Sequence, residues 1–319
     1  MATQLKLQLA PTKPLTPTEF WNKKFKPMLA YNKEFDLKDV RLPCYVSEKI
    51  DGIRCIIHEG GIPRTRDNKP VPNDYIRNTI IKAGLPAGFD GEIVTLRVDG
   101  TRKTFHGIQS DVMSEDGEPR FEYHVFDYAP NLATCNLPFH LRLEKLEFLS
   151  KAIQGISLYV VEQYICITDS DFNHCAEYYV NSHEERYEGY MIRSTTGKYK
   201  FGRSTLSEQY LLKVTPWRRT EATIVGFEEE LINDDTSTCK KENLRPANSL
   251  GALVCKWEGC QETFNIGSGF TREERAEIWD RRDFYLNKQV TFKYKPYGTK
   301  DKPRTPIFVG VRLESTSAI

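Results

Sequence analysis

The chain has 319 residues, 39% hydrophobic and 12% aromatic, with a formal net charge of +1. That length and composition fit one large folded domain or two modest ones and exclude a disordered chain. No run approaches the roughly 18–20 apolar residues of a membrane span, and the near-neutral charge gives no global sign of a nucleic-acid partner. Basic groups are instead local, at Arg64/Arg66/Lys69, Lys198/Lys200/Arg203, Lys213/Arg218/Arg219 and from Lys293 to Arg304. Of the eight cysteines only Cys255 and Cys260 lie close together, without the paired spacing of a zinc site, so reduced thiols are expected. The segment Met1 to Pro17 lacks a signal-peptide apolar core, which points to a soluble intracellular protein.

In chain order, Trp21 and Phe25 are placed to anchor a Pro- and Lys-containing N-terminal stretch to the body. Pro43 to Glu59 reads strand–turn–strand, with Asp51-Gly52 at the turn. Tyr75 to Ala83 has helical apolar spacing and stops at Gly84. Strands are expected at Gly91–Leu96, Tyr123–Tyr128, Leu158–Ile167, Gly189–Arg193 and Tyr210–Val214, and an amphipathic helix at Leu141–Ile153. A boundary is expected near Pro216–Arg219, giving an α+β protein of two domains, 1–217 and 218–319. Beyond it lie short β-rich segments, at Ala222–Phe227, Gly251–Trp257, Thr263–Ile266, Gln289–Tyr294 and Ile307–Leu313. One helix, Arg272–Asp283, interrupts them, with Thr271 as N-cap and Glu274 completing a capping box. This set suits a small closed β-barrel of the OB type. The polar segment 228–248 is long for a hairpin and reads as a loop or a functional insertion.

The chemistry begins at Lys49-Ile50-Asp51-Gly52-Ile53-Arg54. A lysine amine attacks phosphorus only when deprotonated, which needs nearby positive charge, desolvation or a metal. Alone, such a hexapeptide is better read as a turn between strands. Further segments follow it in order: Asp90-Gly91-Glu92, Phe126-Asp127-Tyr128, Glu188-Gly189-Tyr190-Met191-Ile192-Arg193 and Leu211-Leu212-Lys213-Val214. Between them they offer carboxylates for a ribose or a metal, a ring for a purine, a thioether on the same strand as a carboxylate, and a second lysine.

Together these motifs resemble the covalent nucleotidyltransferases, and most closely the small ATP-dependent DNA ligases of viruses and phages. The stretches Lys198–Thr205 and Arg304–Arg312 carry the likeness further. The resemblance implies an ATP-grasp-like nucleotidyltransferase domain of antiparallel sheets with helices, followed by an OB-fold barrel. It implies that Lys49 forms a lysine–AMP bond. Ile50, Arg54 and Glu92 would then contact the nucleoside, with Phe126 and Met191 on opposite faces of the adenine. Arg66, Arg203 and Lys213 would bind phosphate or the nucleotide, and Arg304 and Arg312 would orient the pyrophosphate. Asp51, Glu92 and Glu188 would hold Mg²⁺, with Mn²⁺ as a substitute. The implied partner is nicked duplex DNA, bound without regard to sequence by a monomer, with no membrane involved.

Where many relatives have Lys-x-Lys in the last motif, this chain has Lys213-Val214-Thr215. A hinge near 216–219 is expected, and 228–248, with Lys240, Lys241 and Arg245, is a candidate latch around DNA. Two other readings compete: an RNA ligase or GTP-using capping enzyme, and a non-catalytic nucleic-acid binder. The segment Arg304-Thr305-Pro306-Ile307-Phe308 disfavours the capping enzyme, and the set Lys49, Glu92, Glu188 and Lys213 disfavours the pure binder.

Overall fold

A computed structural model describes residues 16–21, 25–181, 188–233, 244–258, 262–295 and 302–312. The chain divides into two units, Met1–Ala176 with Tyr190–Lys213, and Glu177–Gly189 with Val214–Ile319. Among the described residues no helix is long and apolar enough to cross a membrane.

The strands up to the end of the first unit are β1 (Met28–Leu29), β2 (Cys44–Glu48), β3 (Ile53–Ile57), β4 (Pro63–Thr65), β5 (Phe89–Thr95), β6 (Phe121–Tyr128), β7 (Leu158–Val160), β8 (Tyr164–Cys166), β9 (Tyr190–Ser194), β10 (Gly202–Arg203) and β11 (Leu212–Val214). They make a five-stranded sheet in the order β4-β3-β5-β6-β7, a four-stranded sheet in the order β11-β9-β2-β8, and a short β1-β10 pair. The strand–turn–strand expected at Pro43–Glu59 is therefore not a hairpin, because β2 and β3 belong to different sheets. Lys49 to Gly52 is the crossing between them. Gly52 is required there by close approach, since an added Cβ would sit 2.5 Å from the Ile93 carbonyl oxygen.

The single strand expected over Leu158–Ile167 is likewise divided, β7 joining one sheet and β8 the other. The five-stranded sheet packs its buried face, including Ile57, Phe89, Ile93, Tyr123 and Val125, against the helices Asp74–Lys82, Phe105–Met113 and Phe139–Ser150. The first of these is capped by Asn73, whose side chain accepts from the Ile76 amide. A second cluster brings Phe20, Trp21 and Phe25 onto Ile56, Tyr199 and Leu211, anchoring the N-terminal stretch.

In the second unit, β12 (Arg218–Asn233), β13 (Leu244–Lys256), β14 (Phe264–Ile266), β15 (Gln289–Lys295) and β16 (Arg304–Arg312) form a sheet in the order β14-β13-β12-β15-β16. The expected barrel is not closed by continuous ladders among the described residues. Its edges meet at one parallel bridge, Ser268 with Ile307, where the Phe308 amide donates to the Ser268 carbonyl at 2.8 Å. The expected loop 228–248 is corrected at both flanks, which are strand: Asn233 pairs with Leu244 at the far end of the β12–β13 ribbon. Its middle, 234–243 with Lys240 and Lys241, lies outside the described residues. The expected helix Arg272–Asp283 stops at Asp280, because Arg281 leaves helical geometry, and a short turn of helix resumes at Arg282–Tyr285. Its capping box is present, with Thr271 accepting from Glu274 N and Glu274 accepting from Thr271 N.

Candidate active site

Strand alternation and two irregularities in the ladders build the site. On β2, Ser47 and Glu48 precede Lys49, and Ser47 is opposite Met191 of β9. On the other sheet Arg54 of β3 is opposite Glu92 of β5. On β6 the ladder pairs Val125 with Gly91 and Asp127 with Asp90, so Phe126 is the extra residue of a bulge. A bulge re-aims its side chain relative to regular pleating, and Phe126 is half-buried between two fully buried neighbours.

These side chains line one pocket of about 360 Å³ in the first unit. It brings together Lys49, Ile50, Arg54, Arg66, Glu92, Phe126, Met191, Arg203 and Lys213. Six cationic side chains (Lys49, Arg54, Arg66, Arg193, Arg203, Lys213) face two carboxylates, Glu48 and Glu92. A chain of nearly zero net charge thus concentrates positive charge in this pocket, which suits an anionic, phosphate-bearing ligand. Leu29, Ala30 and Asn32 add a wall from the N-terminal stretch. Sequence reasoning missed that wall, and also Ser47, Glu48 and Arg193, although Glu48 and Arg193 fall inside or beside quoted motifs.

Two buried aspartates stand behind the pocket. Asp90 accepts from Arg54 Nε at 2.5 Å and Nη2 at 2.6 Å, and from the Tyr199 hydroxyl at 2.6 Å. Burial works against the charge of Arg54, but Asp90 outweighs it and keeps the guanidinium protonated. Asp127 accepts from Arg193 Nη1 at 2.8 Å and from Arg142 Nε at 2.8 Å. Burial pushes the Asp127 carboxyl up, yet Arg142 and Arg193 together outweigh it and hold it below its ordinary value. Glu48 is fixed by Arg102 Nη1 at 2.5 Å, and Arg203 by donation to the Ala30 carbonyl at 2.6 Å.

The proposed metal carboxylates are not assembled in the same way. Glu92 lines the pocket, whereas Asp51, though buried, does not, and Glu188 belongs to the second unit. Among the described residues no three His, Cys, Asp or Glu side chains form a metal-holding group. Glu92, a carboxylate beside cations that suit phosphate, fits a Mg²⁺ ion held in part by phosphate. In the second unit Arg304 is half-buried on β16, and Arg312, exposed, donates to both Glu221 carboxylate oxygens at 3.3 Å.

The family described as the DNA ligase OB-like domain matches residues 243–312. Among solved structures, the Chlorella virus DNA ligase-adenylate is 29% identical, with a TM-score of 0.53 over 91% of this chain and 99% of that one. A structure from work on Lig E DNA ligases, described as binding DNA with a minimal scaffold, is 24% identical, with a TM-score of 0.66 over 90% and 99%. The chain has the fold of the small ATP-dependent DNA ligases. Curated proteins give no match. The likeness to the Chlorella virus ligase spans nearly the whole of both chains, so the nucleotidyltransferase part and the OB part are present together.

Proposed function

We infer that the protein is an ATP-dependent DNA ligase that seals nicks bearing a 5′-phosphate and a 3′-hydroxyl. The observation that carries this is the position of Lys49, at the crossing between two sheets, in a cation-rich pocket that also holds Phe126 and Met191. Phe126 and Met191 are suited to sandwich a purine, while Arg54 and Glu92, facing each other across β3 and β5, suit its ribose. Arg66, Arg203 and Lys213 supply charge for the phosphates. Arg66 and Arg203 also bear on the missing second lysine at Thr215: they line the pocket and give it positive charge without that lysine.

In the first step the unprotonated Nζ of Lys49 attacks the α-phosphorus of ATP. An N–P bond forms, the bond to the bridging oxygen breaks, and pyrophosphate leaves. The 5′-phosphate at the nick then displaces Lys49 from the AMP, and the 3′-hydroxyl, losing its proton, displaces AMP to close the strand. Each is an in-line displacement in which the protein mainly aligns groups and neutralises the equatorial oxygens. Mg²⁺, held by Glu92 with phosphate and water, would supply further neutralisation there.

The same reading gives a domain 1–217 for adenylation and a domain 218–319 of the OB type, with a hinge at 216–219. DNA would be bound by a monomer through backbone and shape, independently of sequence and with strong salt dependence. The six described cysteines are free thiols, which supports a reducing intracellular setting.

Incubation with labelled ATP and Mg²⁺, followed by a denaturing gel, is expected to label the wild type and leave Lys49→Ala unlabelled. An adduct that persists in Lys49→Ala, or none in the wild type, overturns the assignment. Labelling by GTP in place of ATP would favour a capping-type enzyme.

A further inference from the structure

The polar cluster behind the pocket is more elaborate than holding Arg54 alone requires. Asp90 and Asp127 are direct cross-strand partners on β5 and β6, and both are fully buried. Two carboxylates so placed repel unless each has its own cation. Arg54 serves Asp90, and Arg142 and Arg193 serve Asp127. The bulged residue beside this aspartate pair is Phe126. The guanidinium of Arg54 lies 4.7 Å from the centre of its ring and that of Arg193 lies 5.4 Å away.

Arg193 is itself 3% exposed, and its Nε is buried with no hydrogen-bond partner. Leaving such a donor unsatisfied costs free energy, and a core built for stability alone is as well served by an apolar side chain. Arg193 also shares a face of β9 with Met191, two residues before it, and both line the pocket. Arg142 makes the contrast. It shares Asp127, and both guanidinium groups lie near Phe139, that of Arg142 at 5.5 Å and that of Arg193 at 4.8 Å. The second ring beside Arg142, however, is Tyr199, at 5.8 Å, rather than Phe126, and Arg142 is not part of the lining.

We propose that Arg193 is a positioning residue for nucleotide binding: anchored on Asp127, it holds the bulged Phe126 ring at the angle at which that ring stacks on the purine. A bulge frees Phe126 from the regular ladder, so its orientation is set by side-chain neighbours, and cation–π contact is directional enough to set it. This rests on the pocket being the ATP site.

The test is the rate of Lys49 labelling as a function of ATP concentration, using the full chain. The variants are Phe126→Ala, Arg193→Lys, the double variant, and Arg142→Lys as the control that shares the anchor alone. Loss of the stacking ring in Phe126→Ala is expected to raise KM for ATP by about 10- to 100-fold. Arg193→Lys is expected to raise it by about 3- to 10-fold, with kcat within about 2-fold, since the effect is on binding. In the Phe126→Ala background the same substitution should change KM by less than about 2-fold, because its route runs through the ring. Arg142→Lys should lower Tm and leave KM alone. Arg193→Gln serves the same cycle where Arg193→Lys does not fold. Independent, multiplying effects of the two substitutions, or an unchanged KM in Arg193→Lys, would reduce Arg193 to a structural ion pair and overturn the proposal. A wild type that forms no adduct would instead overturn the assignment of the pocket.

Discussion

The two units are built on different interiors. Every buried polar or charged side chain among the described residues lies in the first unit, including Asp90, Asp127, Arg142 and Arg193. The second has an apolar core of residues such as Ile224, Leu250, Leu253, Val290 and Phe292, beneath a sheet whose outward residues are exposed. Buried charge is costly and must be paired, so its concentration in one unit marks where side chains are held at fixed angles for chemistry. The second unit keeps its charges, Arg312 and Glu221 among them, at the surface, where they are weakly coupled to stability. The difference teaches that this molecule spends folding free energy on orientation behind the pocket and little on it elsewhere.

The largest effect that would break this contrast is at Asp127. Asp127→Ala leaves Arg142 and Arg193 buried together without their carboxylate and is expected to cost about 3–5 kcal/mol, read by denaturant unfolding. A loss under about 1 kcal/mol would show that the two arginines do not depend on it.

The next effect depends on pH. His58 is buried against Trp21, their rings 4.3 Å apart, and burial, helped by Arg64, lowers its pKa from 6.5 to about 4. The neutral ring is the folded form. Its contribution is therefore present above pH 6.5 and is lost as pH falls toward 4, in total on the order of 3 kcal/mol. Thermal unfolding at pH 7.5 and 5 is expected to show a larger fall for the wild type than for His58→Phe, which keeps the aromatic packing without the proton. Equal falls would place the acid sensitivity elsewhere.

How far the sequence disclosed this division depends on the range of the interaction. Local signals were readable: the helix at Asp74–Lys82 with its stop at Gly84, and the capping box of Thr271 and Glu274. The helix at Asp169–Asn181 went unread although it carries a similar signal, Thr168 and Asp171 bonding reciprocally at its start. Lys49, Arg54, Arg66, Glu92, Phe126, Met191, Arg203 and Lys213 of the pocket lining were also readable, because their motifs follow one another in order, whereas the wall of Leu29, Ala30 and Asn32 carries no such motif. The partition of β2 and β3 into separate sheets was not, since periodicity reports the face of a strand and never its partner. Nor was the role of Arg193. It needs the register that sets Asp90 against Asp127, 37 residues later in the chain, and the bulge at Phe126, and a one-residue irregularity between such distant segments leaves no local trace.

The smallest effect tests the other side of the contrast. In the second unit the exposed Thr271 accepts from Glu274 N at 3.1 Å, while the Glu274 carboxylate accepts from Thr271 N at 2.7 Å. Thr271→Ala removes the first bond and leaves the second, so the cost should be about 1 kcal/mol. The helix start becomes less ordered, but no buried charge is stranded. Circular-dichroism melting should register that small loss while KM for ATP in Lys49 labelling stays at the wild-type value. A shift in that KM would mean that the second unit, apolar core notwithstanding, transmits its packing to the nucleotide pocket, and the separation of orientation from stability would then fail.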